Sequence, residues 1–418
     1  MITLMERLWP ICRSITGNGV RETMAILREQ LPELVVHEVP TGTKCFDWTI
    51  PQEWNIRDAY VIAPDGTKVI DFARHNLHVV NYSEPIDREM TLEELQPHLH
   101  SLPAQPDAIP YVTSYYKRAW GLCLEHRVRE SLPPGRYRVV IDSDLSDGSL
   151  TYAEMRLPGR TEAEVFISTY TCHPSMANNE LSGPVLTAQL ARWLRGRDNR
   201  YTHRILFIPE TIGAICYLSR HLDELKQRVI AGYVITCVGD ERAWSFMPSR
   251  DGNTLSDRVA RHVLKHLAPD YREYSFLDRG SDERQYCAPG VDLPMSSMMR
   301  SKYATFPEYH TSHDNLSFVT ARGLEQALAA YQRATEVIES DCTPIATVLC
   351  EPKMSDRGLR PTLGKRGSAD GGKAMMDLLA YADGRRTLLE IADVINVPAW
   401  EVRELADKLA GFELLRLE

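Results

Sequence analysis

From about residue 158 to 340 the chain alternates short apolar, β-branched runs with longer stretches whose apolar residues recur at helical spacing. The runs at 165 to 169, 204 to 208, 233 to 238 and 293 to 299 read as strands. The stretches at 186 to 194, 215 to 225, 254 to 267 and 321 to 339 read as helices. That order predicts an α/β fold: a mainly parallel sheet flanked by helices, because parallel strands need crossovers and the crossovers cover both faces. Right-handed crossovers set the strand C-termini along one rim, where open sheets bind their ligands.

The first turn of this rim is the most polar. Residues 170 to 184 read YTCHPSMANNELSGP, joining the strand at 165 to 169 to the next helix. Ser182 suits the N-cap of that helix and Pro184 its first turn, so the loop is pinned at both ends. It offers His173, Asn178, Asn179 and Glu180 to whatever binds above the strand.

The flanking regions have different textures. Residues 2 to 31 read as one or two amphipathic helices broken at Gly17 and Gly19. Between about 40 and 155, short strands (59 to 62, 69 to 72, 78 to 80, 137 to 142, 152 to 157) alternate with turn residues, and 93 to 98 reads as a short helix. This predicts a small β-rich insertion domain. Tyr111, Tyr115, Tyr116, Arg118 and Trp120 form a polar-aromatic cluster that suits either a binding surface or half-buried packing. Residues 357 to 372 are rich in Gly, Lys and Arg and read as a linker. The tail reads helix, helix, a turn at Asn396 to Pro398, helix, strand, the order of a C-terminal winged-helix domain. The expected domains are therefore 1–39 with 156–345 (catalytic α/β), 40–155 (insertion) and 346–418 (winged helix).

Charge limits the partners. Lys and Arg number 48 against 57 Asp and Glu, a net charge of −9, which argues against nucleic acid or an anionic membrane surface. The tail from 371 has six basic and nine acidic residues. Its third helix carries Glu401, Arg403, Glu404, Asp407 and Lys408, so a docking role or a homo-oligomer contact fits it better than contact with phosphate. Nine scattered cysteines with no C-x-x-C pair read as reduced thiols. With no apolar run of about 18 residues and no secretion signal at the start, the expected location is cytoplasmic.

Four polar positions stand at or just after expected strand ends: His173, Glu210, Asp240 and His310. Two imidazoles, a carboxylate ligand and a separate glutamate are what a hydrolytic zinc site requires: Zn²⁺ takes neutral imidazole and carboxylate, and a glutamate outside the ligand shell moves protons. Each also has a structural use, as a surface or capping histidine, a helix-starting carboxylate at Glu210, or a solvated turn pair at Asp240 and Glu241. His313 and Asp314 compete with His310.

The order His173, Asn-Asn-Glu-Leu-Ser-Gly (178 to 183), Pro-Glu-Thr-Ile-Gly (209 to 213), Asp240 and Tyr-His-Thr (309 to 311) resembles the zinc aminopeptidases of the bacterial leucine-aminopeptidase type. The Cys-His-Pro-Ser loop, the segment Ser281 to Tyr286, the β insertion and the winged-helix tail resemble more closely a little-studied bacterial branch of that fold. The resemblance implies a metal-dependent hydrolase in which activated water attacks an amide next to a free amine of a small peptide or other amide substrate. It implies metal ligation by His173, Asn179, Asp240 and His310, with Glu210 as general acid/base. It also implies substrate contacts from the segment holding Asp282, Glu283, Arg284 and Tyr286, which equally suits a salt-bridged loop. Asn179 stands where those enzymes carry a bridging Asp, and Thr211 where they carry a second Glu. Two close divalent ions need an anionic bridge, so one Zn²⁺ is expected rather than two. Glu180 would replace the bridge if the turn were shifted. Two other readings accompany this one: a hydrolase of a non-peptide amide, such as an amino sugar or modified amino acid, and a catalytically degenerate binding or regulatory protein.

Overall fold

The computed structural model describes residues 1–359 and 368–418, so half of the stretch read as a linker at 357 to 372 lies outside the described residues. The chain divides into two compact units, Met1–Ser256 with Arg272–Leu328, and Asp257–Tyr271 with Ala329–Glu418.

The first unit holds an eight-stranded mixed sheet. Its centre is parallel: Tyr201–Ile208, Thr161–Tyr170, Val229–Val234 and Met295–Met299 lie side by side in that order. These are the four strands expected from the sequence, and their ends define the rim. Phe166, Leu206, Ile208, Val234 and Met295 form its apolar interior, together with Ile212, Ile215, Leu218 and Leu225 of the helix Ile212–Arg228. The helix Ser182–Arg195 also packs on the strand Thr161–Tyr170 and buries Leu186, Leu190 and Leu194. Its start lies tight on the strand ends: a Cβ on Gly183 would come within 2.4 Å of the Ile235 carbonyl oxygen and 2.5 Å of Thr169 Oγ1. Any larger residue there would push the His173 loop off the rim.

Three local differences from the sequence reading have physical causes. The helix does not begin with a Ser182 cap. A π-turn over Ala177–Leu181 precedes it, so Ser182 lies inside the helix, where its hydroxyl donates to the Asn178 carbonyl and accepts the Val238 N–H at 3.0 Å. The strand expected at 233 to 238 lies earlier, at Val229–Val234, and Cys237 has φ +51°, which a strand does not sustain. The run at 78 to 80 is instead the end of a 3₁₀ turn, Asn76–His78, capped by His75 Nδ1 accepting the Leu77 N–H at 3.1 Å.

The region from 40 to 155 contains a four-stranded antiparallel sheet, in the order Lys68–Asp71, Glu53–Ile62, Arg136–Ser146, Ile86–Thr91. Its sheet shares a core with the α/β part, Trp54, Val61, Tyr137 and Ile141 lying in the same buried cluster as Phe166 and Leu206, while Leu77, Val80, Ile109 and Cys123 form a small cluster within the region itself. Its last strand, Ser149–Leu157, leaves it and enters the large sheet, antiparallel both to Val35–Pro40 and to Tyr201–Ile208, with Met155 opposite Ile205. A run of strand residues announces a strand but not its neighbour.

The second unit contains the helices Ser368–Tyr381, Leu388–Ile395 and Ala399–Gly411, and a two-stranded ladder of Pro344–Ala346 against Leu415–Leu417. Thr387 and Glu390 form a capping box at the start of the middle helix, and Asn396 at φ +56° ends it. The expected winged-helix order is present. Among the described residues no helix is long and apolar enough to cross a membrane.

Candidate functional site

Because the central strands are parallel, the segments that follow them meet at one rim. His173 follows Thr161–Tyr170, Glu210 follows Tyr201–Ile208, and His310 lies in the loop after Met295–Met299. The rings of His173 and His310 are 5.6 Å apart between centroids, and Glu210 Oε2 lies 3.6 Å from His173 Nε2. The sequence-predicted histidines and glutamate are thus brought together.

His173 is oriented from behind. Its Nδ1 is 2.8 Å from Glu180 Oε2, and a carboxylate can only accept, so Nδ1 carries the proton and Nε2 is turned towards Glu210. Burial pulls the imidazolium of His173 down, but its bond to Glu180 and the charges of Glu180 and Glu210 outweigh that and hold it above its usual range. Burial pushes the Glu210 carboxyl up, against the pull of His173 and Arg284. Glu210 keeps about a fifth of its side chain exposed.

His310 is the opposite case. Tyr309 stacks on its ring at 3.9 Å, and Tyr111 meets it edge-on at 5.1 Å. Its backbone sits at φ +56°, held by the Tyr111 N–H donating to its carbonyl at 2.8 Å. Burial, helped by His173, pushes its pKa down to about 3, so the ring is neutral at physiological pH. Its Nε2 is buried without a partner. Tyr111 also lies 5.3 Å from His173, so the aromatic cluster seen in the sequence contributes one ring to both imidazoles.

The turn between them is braced by carboxylates. Asp314 accepts the N–H groups of Asn178 and Asn179 at 2.6 and 2.9 Å, and its carbonyl accepts that of Ala177 at 3.0 Å. Asn179 donates its amide to the Tyr170 hydroxyl, leaving its Oδ1 buried and unpartnered. Asp240 is saturated: Asn178 Nδ2 and the Ser301 N–H donate to Oδ2 at 3.0 and 2.9 Å, and the Arg242 N–H and Ser301 Oγ donate to Oδ1 at 2.9 and 2.8 Å. It therefore fastens loops at the rim, with no lone pair left idle.

The segment after Gly280 frames the other side. Asp282 Oδ1 accepts the N–H of Thr211 at 2.7 Å, while Oδ2 is buried and unpartnered. Burial and the neighbouring Glu210 push the Asp282 carboxyl well up, against its bond from Thr211. Thr211 has φ +64°, a strained setting for a β-branched residue, and the Arg284 guanidinium donates to its hydroxyl. Arg284 is exposed beside Glu210. Glu283 is used inside its own loop, where Oε1 accepts the Gly280 and Ser281 N–H groups at 2.9 and 3.0 Å and the Tyr303 hydroxyl at 2.5 Å. Tyr286 is wholly buried, its hydroxyl 2.8 Å from that of Ser168.

Several polar atoms at the rim have the chemistry of zinc ligands. The Nε2 of His173 faces a carboxylate oxygen 3.6 Å away, an arrangement that calls for a proton or a cation between them. The Nε2 of His310 and the Oδ1 of Asn179 are also buried without a partner, and the chemistry of these donors suits one divalent ion. A second ion lacks an anionic bridge, since Asn179 is neutral and the Thr211 hydroxyl is engaged by Arg284. The ligand atoms of Cys172, His173 and Glu180 also lie within 4.8 Å of one another. A cation among them would face the Arg13 guanidinium, 3.5 Å from Glu180 Oε1, and a thiol that burial holds protonated.

The fold is that of zinc aminopeptidases. A zinc aminopeptidase from Bacillus subtilis superposes with a TM-score of 0.58 at 12% identity, covering 81% of this chain and 93% of its own. An aminopeptidase from Aneurinibacillus sp. strain AM-1 gives 0.50 at 13%, covering 80% and 92%. More specifically, the chain belongs to the family described as a domain of unknown function, DUF4910, whose model matches residues 2–341, and a winged helix-turn-helix model follows at 343–417. A Clostridium acetobutylicum protein is 46% identical over 99% of this chain and 95% of its own length. It is described as a "putative polysaccharide biosynthesis protein with aminopeptidase-like domain". A crystal structure from that organism matches with a TM-score of 0.93 at 45% identity, covering all of this chain and 96% of its own.

Sequence reasoning missed Arg13, wholly buried 160 residues before its partner, and the bracing roles of Asp314 and Ser301. Nothing local marks them: each acquires its role from a contact that only the fold makes.

Proposed function

We propose that this chain is a metal-dependent amide hydrolase that takes small substrates. The observation that carries the reading is the pairing of two imidazoles, one with an unpartnered buried nitrogen, beside a glutamate whose carboxylate faces the other ring. His173, His310 and Asn179 would hold one Zn²⁺. When bound, the ion supplies Lewis-acid activation of water and of the scissile carbonyl. Glu210 holds the proton taken from the attacking water and delivers it to the leaving nitrogen, a task suited to a carboxyl raised by burial. Tyr111 and Tyr309 wall the imidazoles and exclude solvent from them. Asp282, its carboxyl pushed up by burial, holds the strained Thr211, and Arg284 presents a cation beside it.

A peptide-like amide next to a free amine is the first substrate class. A second class is an amide on an amino sugar, which would suit the polysaccharide biosynthesis named in the Clostridium relative's description. Aminoacyl-nitroanilides and N-acyl amino sugars, assayed with Zn²⁺, Mn²⁺ or Co²⁺ and again after chelation, test both. Turnover lost on chelation and restored by one cation is the expected result, and turnover indifferent to chelation would end the metal reading.

A further inference from the structure

Behind the imidazole of His173 lies a second layer built from the N-terminal segment and from the His173 loop itself. Arg13, from the N-terminal segment, is wholly buried and donates Nε–H to the His173 carbonyl at 3.0 Å and Nη1–H to the Leu8 carbonyl at 2.7 Å. The same Nε lies 3.5 Å from Glu180 Oε1, while Glu180 Oε2 accepts from His173 Nδ1 at 2.8 Å. Glu180 and Arg13 side chains have no solvent exposure at all. A backbone carbonyl would satisfy the imidazole Nδ1–H, and burying a carboxylate with a guanidinium carries a large desolvation penalty. A charged pair in that position gives what a carbonyl does not: one fixed tautomer, one ring orientation, and a more basic opposite nitrogen.

We infer that Glu180 and Arg13 are positioning residues for His173, Glu180 holding the proton on Nδ1 so that Nε2 is presented to the cation, and Arg13 anchoring both Glu180 and the His173 backbone. The step to cation binding rests on the metal-site reading above. The clamp itself is a statement about the metal-free protein.

The experiment uses the full chain labelled with ¹⁵N-histidine. Long-range proton-nitrogen correlations, with the His173 ring assigned by its loss in His173→Gln, report which nitrogen carries the proton. Calorimetric titration with Zn²⁺ reports affinity, and thermal melting reports folding. In the metal-free wild type we expect a proton on Nδ1, slow to exchange with water. In Glu180→Gln we expect that proton to exchange quickly or move to Nε2, and Zn²⁺ to bind about 10- to 100-fold more weakly. Should Glu180→Gln fail to fold, Arg13→Lys probes the same clamp with its charge kept and its Nε–H lost, and the same two changes are expected there in smaller degree. A wild-type proton on Nε2 alone, or a folded Glu180→Gln (failing that, Arg13→Lys) with wild-type exchange and affinity, would overturn the inference. Nδ1 protonation that depends on Glu180, in a wild type that binds no Zn²⁺, would uphold the clamp and remove the metal reading instead.

Discussion

Two histidines, the buried His262 in one unit and the half-buried His310 in the other, are treated in opposite ways. His262, in the C-terminal unit, has both ring nitrogens engaged: Nδ1 lies 2.6 Å from Asp393 Oδ1, and Nε2 accepts the N–H of Ala399 at 2.8 Å, closing the start of the helix Ala399–Gly411. The capping box at Thr387 and the left-handed Asn396 finish the middle helix of the same module in the same complete fashion. At the rim of the α/β unit, His310 Nε2, Asn179 Oδ1 and Asp282 Oδ2 are buried without partners, and Thr211 and His310 both lie at positive φ. A fold tolerates unpaired buried groups and strained backbone where something else is to be bound, and removes them where only stability counts. In the helical module one buried atom, His266 Nε2, lacks a partner among the described residues, whereas the rim holds the three named above together with the strained backbone.

The sharpest way to break this contrast is at Glu210. Glu210→Gln is expected to lower turnover by about 10²- to 10⁴-fold with Zn²⁺ still bound, because the amide can neither take nor give the proton. Steady-state rates beside a calorimetric titration would show it, and unchanged turnover would reduce Glu210 to a structural carboxylate. The next test sets the two histidines against each other. His262→Ala removes two hydrogen bonds and should cost about 1–3 kcal/mol in denaturant unfolding. His310→Ala in the metal-free chain should cost less than His262→Ala, since its Nε2 has no protein bond to lose, yet abolish cation retention. Equal costs would erase the distinction.

The pH dependence sharpens it further. His310 is held down to about 3 by burial and by His173, whereas an unfolded histidine titrates near 6.5. Between those values the unfolded chain binds the extra proton, so this residue's contribution to stability is present above pH 6.5 and is lost as pH falls towards 3. Unfolding midpoints of metal-free wild type across that window should fall on acidification, and His310→Ala should fall less steeply. The smallest expected effect lies in the module: Thr387→Ala should cost about 1 kcal/mol by removing one cap, with no change in cation affinity.

Much of the architecture was legible in the residues. Alternating apolar periodicities announced the four central strands, the flanking helices and the winged-helix order, since periodicity is a local property imposed by backbone geometry. The meeting of His173, Glu210 and His310 followed one step later, because parallel strands end together. Other features depended on register and distance. Asp240 looks like an available carboxylate until Asn178, Arg242 and Ser301 are seen to occupy it. The strand Ser149–Leu157 looks like part of the β-rich region until it pairs with Tyr201–Ile208. Tyr111 was one aromatic among several, and Arg13 one cation among many. Residue order determined which elements form and which strand tips share a rim. Only tertiary packing decided which lone pairs at that rim stay free, because a side chain's partners are set by neighbours brought from distant parts of the chain.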